Sequence, residues 1–258
     1  MKKDKTPAPY TVIFEDERII AVNKSSGISV AGDRWDDSKE RLDRIVARDC
    51  GCAKLFTVHR IDKETSGLVI FAKDAEIHRQ LCLAFEGRQA AKRYIAVVHG
   101  RPSWNETECD LALVPNGNKK HLTIVDKYRG KKSLTKFILL GSAGNYSVLE
   151  VQPQTGRIHQ IRVHAASLGF PVVCDPLYGK ETPVLLSSFK RGWRGDPLEE
   201  KPLLARLGLH ALELSLPPQT TGLVLSAPLA RDMASLIKQM KLFENFDFSK
   251  NPLTHHSI

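Results

Sequence analysis

The sequence predicts an α+β fold: a mixed, mainly antiparallel sheet flanked by helices and loops. Three observations support this. Apolar runs of strand length recur along the whole chain, only a few segments carry helical spacing, and no regular alternation of strand and helix joins them. The missing alternation disfavours a Rossmann or barrel arrangement, and no repeat of fixed period is visible. With 258 residues, 42% of them hydrophobic, the chain can bury one sizeable core. The expected organisation is a polar N-terminal tail over 1–9, a single domain over 10–244, and a polar C-terminal tail over 245–258 that is a candidate for disorder.

The elements follow in order. Tyr10 to Phe14 and Arg18 to Val22 are β-rich runs joined by Glu15-Asp16-Glu17, which reads as a hairpin. A helix is expected next, with Asp37 as N-cap, Glu40 completing a capping box, an apolar stripe of Leu42, Ile45 and Val46, and Gly51 as its close. Phe56 to Val58 and Leu68 to Ala72 are short enough to be buried strands. Asp74 then caps a helix striped by Ile77, Leu81 and Phe85 and ended by Gly87. In the strand Tyr94 to Val98, a two-residue period puts Tyr94, Ala96 and Val98 on one face and Ile95 and Val97 on the other. Further strands are predicted at Leu122–Val125, Leu134–Leu140, Tyr146–Val151, Leu209–Leu216 and Leu223–Ser226. Helical spacing recurs at Ile158, Ile161, Ala165 and Leu168, and at Met233, Leu236, Ile237 and Met240.

Lys and Arg number 38 against 29 Asp and Glu, a formal charge of +9, which suits a polyanionic partner without proving one. No apolar run approaches the ~20 residues of a membrane span, and the first ten residues lack the apolar stretch of a secretion signal. A soluble cytoplasmic protein with no membrane partner is the expectation. Cys50, Cys52, Cys82, Cys109 and Cys174 form no C-x-x-C pair, so reduced, mostly buried thiols are expected rather than a metal site. Two basic segments look like surface insertions. Lys119 to Lys132 holds six basic residues against Asp126, and Ser187 to Pro197 sets Lys190, Arg191 and Arg194 around Phe189 and Trp193. Such mixtures suit a phosphate backbone and unstacked bases, and equally suit solvated loops with packing aromatics.

The most informative stretch is His59-Arg60-Ile61-Asp62-Lys63-Glu64-Thr65-Ser66-Gly67-Leu68, a charged loop between two apolar runs. Loops held on rigid strands are where catalytic groups are commonly placed. His59, Arg60 and Lys63 would favour the ionised form of Asp62. On the residues alone, a structural ion-pair turn is the favoured reading.

The run resembles the H-R-[LI]-D-x-x-T-S-G-L signature of the RluA-type RNA pseudouridine synthases, and the similarity extends from about Tyr10 to Leu229. Asn23-Lys24-Ser25-Ser26-Gly27-Ile28 is similar to that family's early lysine-proline-x-glycine turn, with Ser25 where proline is usual. Lys92 to Gly100 is similar to the strand carrying the family tyrosine, and Thr155 to His164 to a third motif. Pro171-Val172-Val173-Cys174-Asp175-Pro176-Leu177-Tyr178-Gly179 follows, with Cys174 where glycine is common, and Leu207 to Ala211 matches the late strand.

The resemblance implies the pseudouridine synthase catalytic fold over 10–244 and isomerisation of specific uridines in structured RNA, ribosomal or transfer. The reaction breaks the bond from N1 to C1′, turns the uracil and rejoins it through C5. It involves no redox change or group donor, so no cofactor or metal is expected. The resemblance assigns Asp62 as the catalytic carboxylate, acting as nucleophile or as base toward a sugar proton. Tyr94 would pack on the base, and Arg162 would pair with Asp62. His59, Arg60, Thr65, Arg157 and His159 are expected at the RNA, with Arg60 filling the space of a flipped uridine. Were Arg157 to His164 helical, His159 and Arg162 would share a face, and Arg157 would point elsewhere, toward a phosphate near the helix start. His159 and His164, five apart, make a poor zinc pair, and His210 reads as a packed residue. A monomer with no obligatory protein partner and no separate N-terminal RNA-binding domain is expected. The rivals are an RNA-binding protein without turnover and a glycoside hydrolase, whose usual carboxylate pair would here have to come from Asp62 and Glu64.

Overall fold

A computed structural model describes residues 8–32, 40–118 and 122–243. The chain divides into two compact units. One comprises Met1–Ala91 and Ala211–Pro228, the other Lys92–His210 and Leu229–Ile258. The first is therefore discontinuous, left at Ala91 and re-entered at Ala211.

In the first unit, β1 (Tyr10–Glu15) and β2 (Ile19–Lys24) form the expected antiparallel hairpin, and β2 pairs antiparallel with β4 (Ser66–Ala72). The short β3 (Phe56–Thr57) pairs with β4 only at Phe71 and Ala72. Since β2 also pairs there, β3 lies on the opposite edge. All seven residues of β4 are buried, as a continuous apolar run predicts for a strand covered on both faces. Helix α1 is Leu42–Asp49, with Leu42, Ile45 and Val46 inward as predicted. Its start differs from the expectation: Arg41 occupies the N-cap position, Glu40 precedes the helix, and Asp37 lies outside the described residues. Helix α2 (Ala75–Glu86) is capped as expected, the Asp74 carboxylate accepting the N–H groups of Glu76 and Ile77 at 2.8 and 2.9 Å. Its Ile77 and Leu81 join Ile19, Leu68 and Ile70 in the core of this unit.

In the second unit, β5 (Ala91–His99) pairs antiparallel with β10 (Tyr146–Pro153), which pairs with β9 (Thr135–Ala143). The edge strand β6 (Glu106–Cys109) pairs with β9, and β7 (Leu113–Val114) forms a small ladder with β8 (Ile124–Val125). Neither β6 nor β7 was predicted. Ala96 and Val98 pack with Phe137, Leu149, Ile161 and Ala165, while Ile95 and Val97 are buried on the opposite face. Helix α3 is Gln160–Ser167, shorter than its apolar spacing suggested; Ile158 lies before it and is 50% exposed. Strand β11 (Leu209–Ser215) carries the boundary between units, and β12 (Val224–Ser226) pairs with its later part. Helix α4 (Arg231–Phe243) buries Met233, Leu236, Ile237 and Met240 as predicted. The two tails fall largely outside the described residues.

Candidate active site

In the first unit, the loop that carries Asp62 is tied down from several sides. Lys24 is 1% exposed, and its ammonium donates to the carbonyls of Ser25, Ile28 and Lys63 at 2.8–2.9 Å. The Gly27 N–H also reaches the Lys63 carbonyl, and Ser26 Oγ donates to the Glu64 carbonyl at 2.7 Å. The lysine turn thus grips the two residues that follow Asp62. Gly27 adopts φ 91°, open to glycine at little cost. Ser25 donates its N–H to the Pro9 carbonyl at 2.9 Å, which explains its place where proline is usual: proline has no N–H to give.

His59 secures the other end of the loop. Beyond Phe71, β3 no longer pairs with β4, and the Ile70 N–H is instead accepted by His59 Nε2 at 3.1 Å. The imidazole stacks on Phe85 of α2 at 5.0 Å. Within the loop, the Thr65 N–H closes on the Asp62 carbonyl at 3.1 Å. Asp62 is half-buried and Arg60 exposed. Thr65 is 2% exposed, and its hydroxyl has no partner among the described residues. Gly67 approaches Ala211 of β11 so closely that any Cβ would collide with that residue's backbone.

In the second unit, Tyr94 is half-buried on β5 and packs against the core there. Arg162 is 3% exposed and forms a bidentate pair with Asp175, which is fully buried: Nε donates at 2.8 Å and Nη2 at 2.6 Å. Asp175 Oδ1 also accepts the N–H groups of Leu177 and Tyr178. Cys174, just before it, adopts φ 55°. Its position where glycine is common is thus a left-handed one, which glycine enters without strain. Burial pushes its thiol up to about 11.

The Tyr178 oxygen accepts the Thr123 N–H at 2.9 Å and lies 2.9 Å from His159 Nδ1, while its ring lies 5.2 Å from the Arg162 guanidinium. His159 and Arg162 therefore converge on one side chain, though not by sharing a helix face. His159 precedes α3 in a left-handed conformation with φ 55°. Arg157 also lies before α3, and its guanidinium donates to the Lys132 carbonyl at 3.3–3.4 Å.

Gln160 holds this loop from within. Its carbonyl oxygen accepts from Thr155 Oγ1 and the Arg157 N–H, and its amide donates to the Leu134 carbonyl and Thr135 Oγ1. All four of its hydrogen-bonding positions are filled. His164, one turn on, places Nδ1 at 2.9 Å from Thr135 Oγ1 and Nε2 at 3.0 Å from the Leu111 carbonyl. A carbonyl only accepts, so Nε2 carries the proton. Burial lowers the pKa of this ring.

The basic insertions are partly ordered by their own contacts. Asp126 accepts from the N–H groups of Tyr128 and Arg129 and from Arg129 Nε, which together hold its carboxyl down to about 2. Lys119 and Lys120 lie outside the described residues. Phe189 is buried against Tyr146, while Arg191 and Arg194 are exposed. Of the cysteines, Cys109 and Cys174 are buried and the other three half-buried. Among the described residues, no helix is long and apolar enough to cross a membrane.

Sequence reasoning named Asp62, Tyr94, Arg162, His59, Arg60, Thr65, Arg157 and His159, but gave Lys24, Gln160, Asp175 and Tyr178 no role. All four stand inside the motifs given above: Lys24 in the early turn, Gln160 in the third motif, and Asp175 and Tyr178 in the segment that follows it. The signal for Lys24 and Tyr178 was a lysine before a glycine turn and a tyrosine three residues after an aspartate.

A family model described as RNA pseudouridylate synthase matches residues 18–167. The ribosomal large subunit pseudouridine synthase D of Zymomonas mobilis is 35% identical over 183 residues, which are 67% of this chain and 56% of that protein. The dual-specificity RNA pseudouridine synthase RluA of Vibrio cholerae is 37% identical over 207 residues, 79% of this chain and 75% of that one. The chain thus spans little more than half of the first relative and three quarters of the second. Human RNA pseudouridylate synthase domain containing 4 shares the fold, with TM-score 0.69 and 22% identity across 89% of this chain and 92% of that one.

Proposed function

This chain belongs to the RNA pseudouridylate synthase family, and from that premise we propose that it isomerises specific uridines of structured RNA, ribosomal or transfer, to pseudouridine, with Asp62 as the catalytic carboxylate and no cofactor. The observation that carries the reading is the anchored loop. Lys24, Ser26 and His59 are spent on holding it in place, which leaves Asp62 half-buried at its centre. Such fixing is what a group that must meet one atom of a large substrate requires.

In the proposed reaction the C1′–N1 bond breaks and a C1′–C5 bond forms. The C5 proton leaves and N1 gains one, so the product is an isomer of the substrate. Asp62 assists by attack or by removing a sugar proton. Tyr94 packs on the uracil and is placed in this scheme to take up the C5 proton. Arg162 is assigned to keep Asp62 ionised. This pairing rests on the resemblance, with Asp175 as the group that orients the guanidinium. Arg60, Thr65, Arg157 and His159 belong to the RNA-facing set, and His59, expected there as well, instead serves it by anchoring the loop through the Ile70 N–H and Phe85. A cytoplasmic monomer acting without a protein partner completes the proposal.

The test incubates wild type and Asp62→Ala with total RNA from cells lacking the gene and maps pseudouridine by carbodiimide labelling and primer extension. A stop made by wild type and not by the variant supports the reading and names the uridine. RNA binding with no stop in any RNA would leave a binding protein without turnover.

A further inference from the structure

We propose that Lys92 is a docking point for a backbone phosphate of the RNA, on the nucleotide adjoining the uridine that Tyr94 receives; this rests on the function proposed above. Alternation along β5 puts Lys92 and Tyr94 on one face, two residues and so roughly 6.6 Å apart along the strand. The chain leaving β10 passes the same place: a methyl placed on Gly156 would sit 3.7 Å from Lys92 Nζ, with no other neighbour within 4 Å. Gly156 is exposed and Lys92 half-buried. The surface beside the ammonium is therefore bare backbone, open to a ligand that must come close.

Other cations of this unit are already engaged. Arg93 is taken by Glu150, Lys136 by Glu106 and Arg162 by Asp175. Among the described residues none pairs with Lys92. Burial lowers its pKa, so the folded protein holds this charge at a cost that a protein anion does not offset. A phosphodiester supplies the missing charge, and its oxygens reach an ammonium without demanding the planar geometry of an arginine fork. A lysine kept only for its aliphatic stem would have its ammonium carried out to water.

The experiment measures binding of a short fluorescein-labelled oligouridylate across a salt series by wild type, Lys92→Gln, Lys92→Arg and Gly156→Asp, with thermal melts to confirm folding. One lost phosphate contact to a single strand lowers the slope of log affinity against log salt by about 0.7. That loss is expected for Lys92→Gln, and for Gly156→Asp because its carboxylate would occupy the ammonium. Lys92→Arg should keep the wild-type slope. An unchanged slope in folded Lys92→Gln overturns the proposal. So does a variant that binds as wild type but shows a lower kcat with an altered pH–rate profile, since that would make the amine a proton-transfer group. Failure of wild type to modify any RNA would defeat the proposed function separately, because the oligouridylate slopes do not depend on turnover.

Discussion

Single residues here divide into those that hold and those that reach. Tyr178 holds: its oxygen meets the Thr123 N–H and His159 Nδ1. A phenol has one proton and two lone pairs, so with Thr123 donating, its own proton can go to Nδ1 and leave the His159 proton on Nε2. Tyr178→Phe is expected to lower kcat/KM on the mapped RNA about tenfold, the effect of one lost hydrogen bond of roughly 1.4 kcal/mol. Wild-type kcat/KM in the variant would remove the orienting role. Arg60 reaches, being exposed two residues before Asp62. Arg60→Ala should weaken modification of folded RNA far more than of an unstructured strand carrying the same uridine; equal losses would discard base flipping. The motif residues themselves were legible. Their partners were not, because the Arg162–Asp175 pair joins side chains 13 positions apart through a turn whose course no periodicity reveals.

At the scale of elements, legibility followed burial. β4 and β5 were visible as apolar runs because both faces are covered. β6 reads Glu-Thr-Glu-Cys, an edge strand with one buried residue, and shows no apolar alternation to detect. The start of α1 was misjudged because an acidic residue with Glu three positions on imitates a cap, whereas the helix begins only at Leu42. The Asp62 loop is an element in its own right, and Lys24 is its central fastening. Lys24→Met keeps the stem but leaves three carbonyls without their donor. The expected cost is about 3 kcal/mol in a urea titration, together with loss of modification. A variant as stable as wild type would show that the clamp is dispensable.

For the whole molecule, the pH dependence of stability follows from His164. Its folded pKa lies below the ordinary value of 6.5 because burial disfavours the charged ring. The unfolded chain therefore binds this proton more readily. The contribution of His164 is complete above pH 6.5 and is lost as pH falls through that value toward the folded pKa. His99, lowered by burial and by Lys180, acts in the same sense. The urea midpoint should drop between about pH 7.5 and about pH 5, and His164→Asn should flatten part of that drop. An identical pH slope in the variant would clear His164 of the effect.

The discontinuity of the first unit has a consequence for the chain as it leaves the ribosome. Its sheet runs β1-β2-β4-β11, and β11 lies about 120 residues after Ala91. At roughly 5–20 residues per second, β4 waits on the order of ten seconds for that neighbour. Meanwhile β3 covers only Phe71 and Ala72 of its edge, and His59 only the Ile70 N–H. The nascent protein thus displays a strand with a five-residue apolar run, Leu68 to Ala72, and a largely unpaired border, the kind of surface that chaperones shield and that aggregates grow from. The histidine that anchors the Asp62 loop is also the one that narrows that border during synthesis.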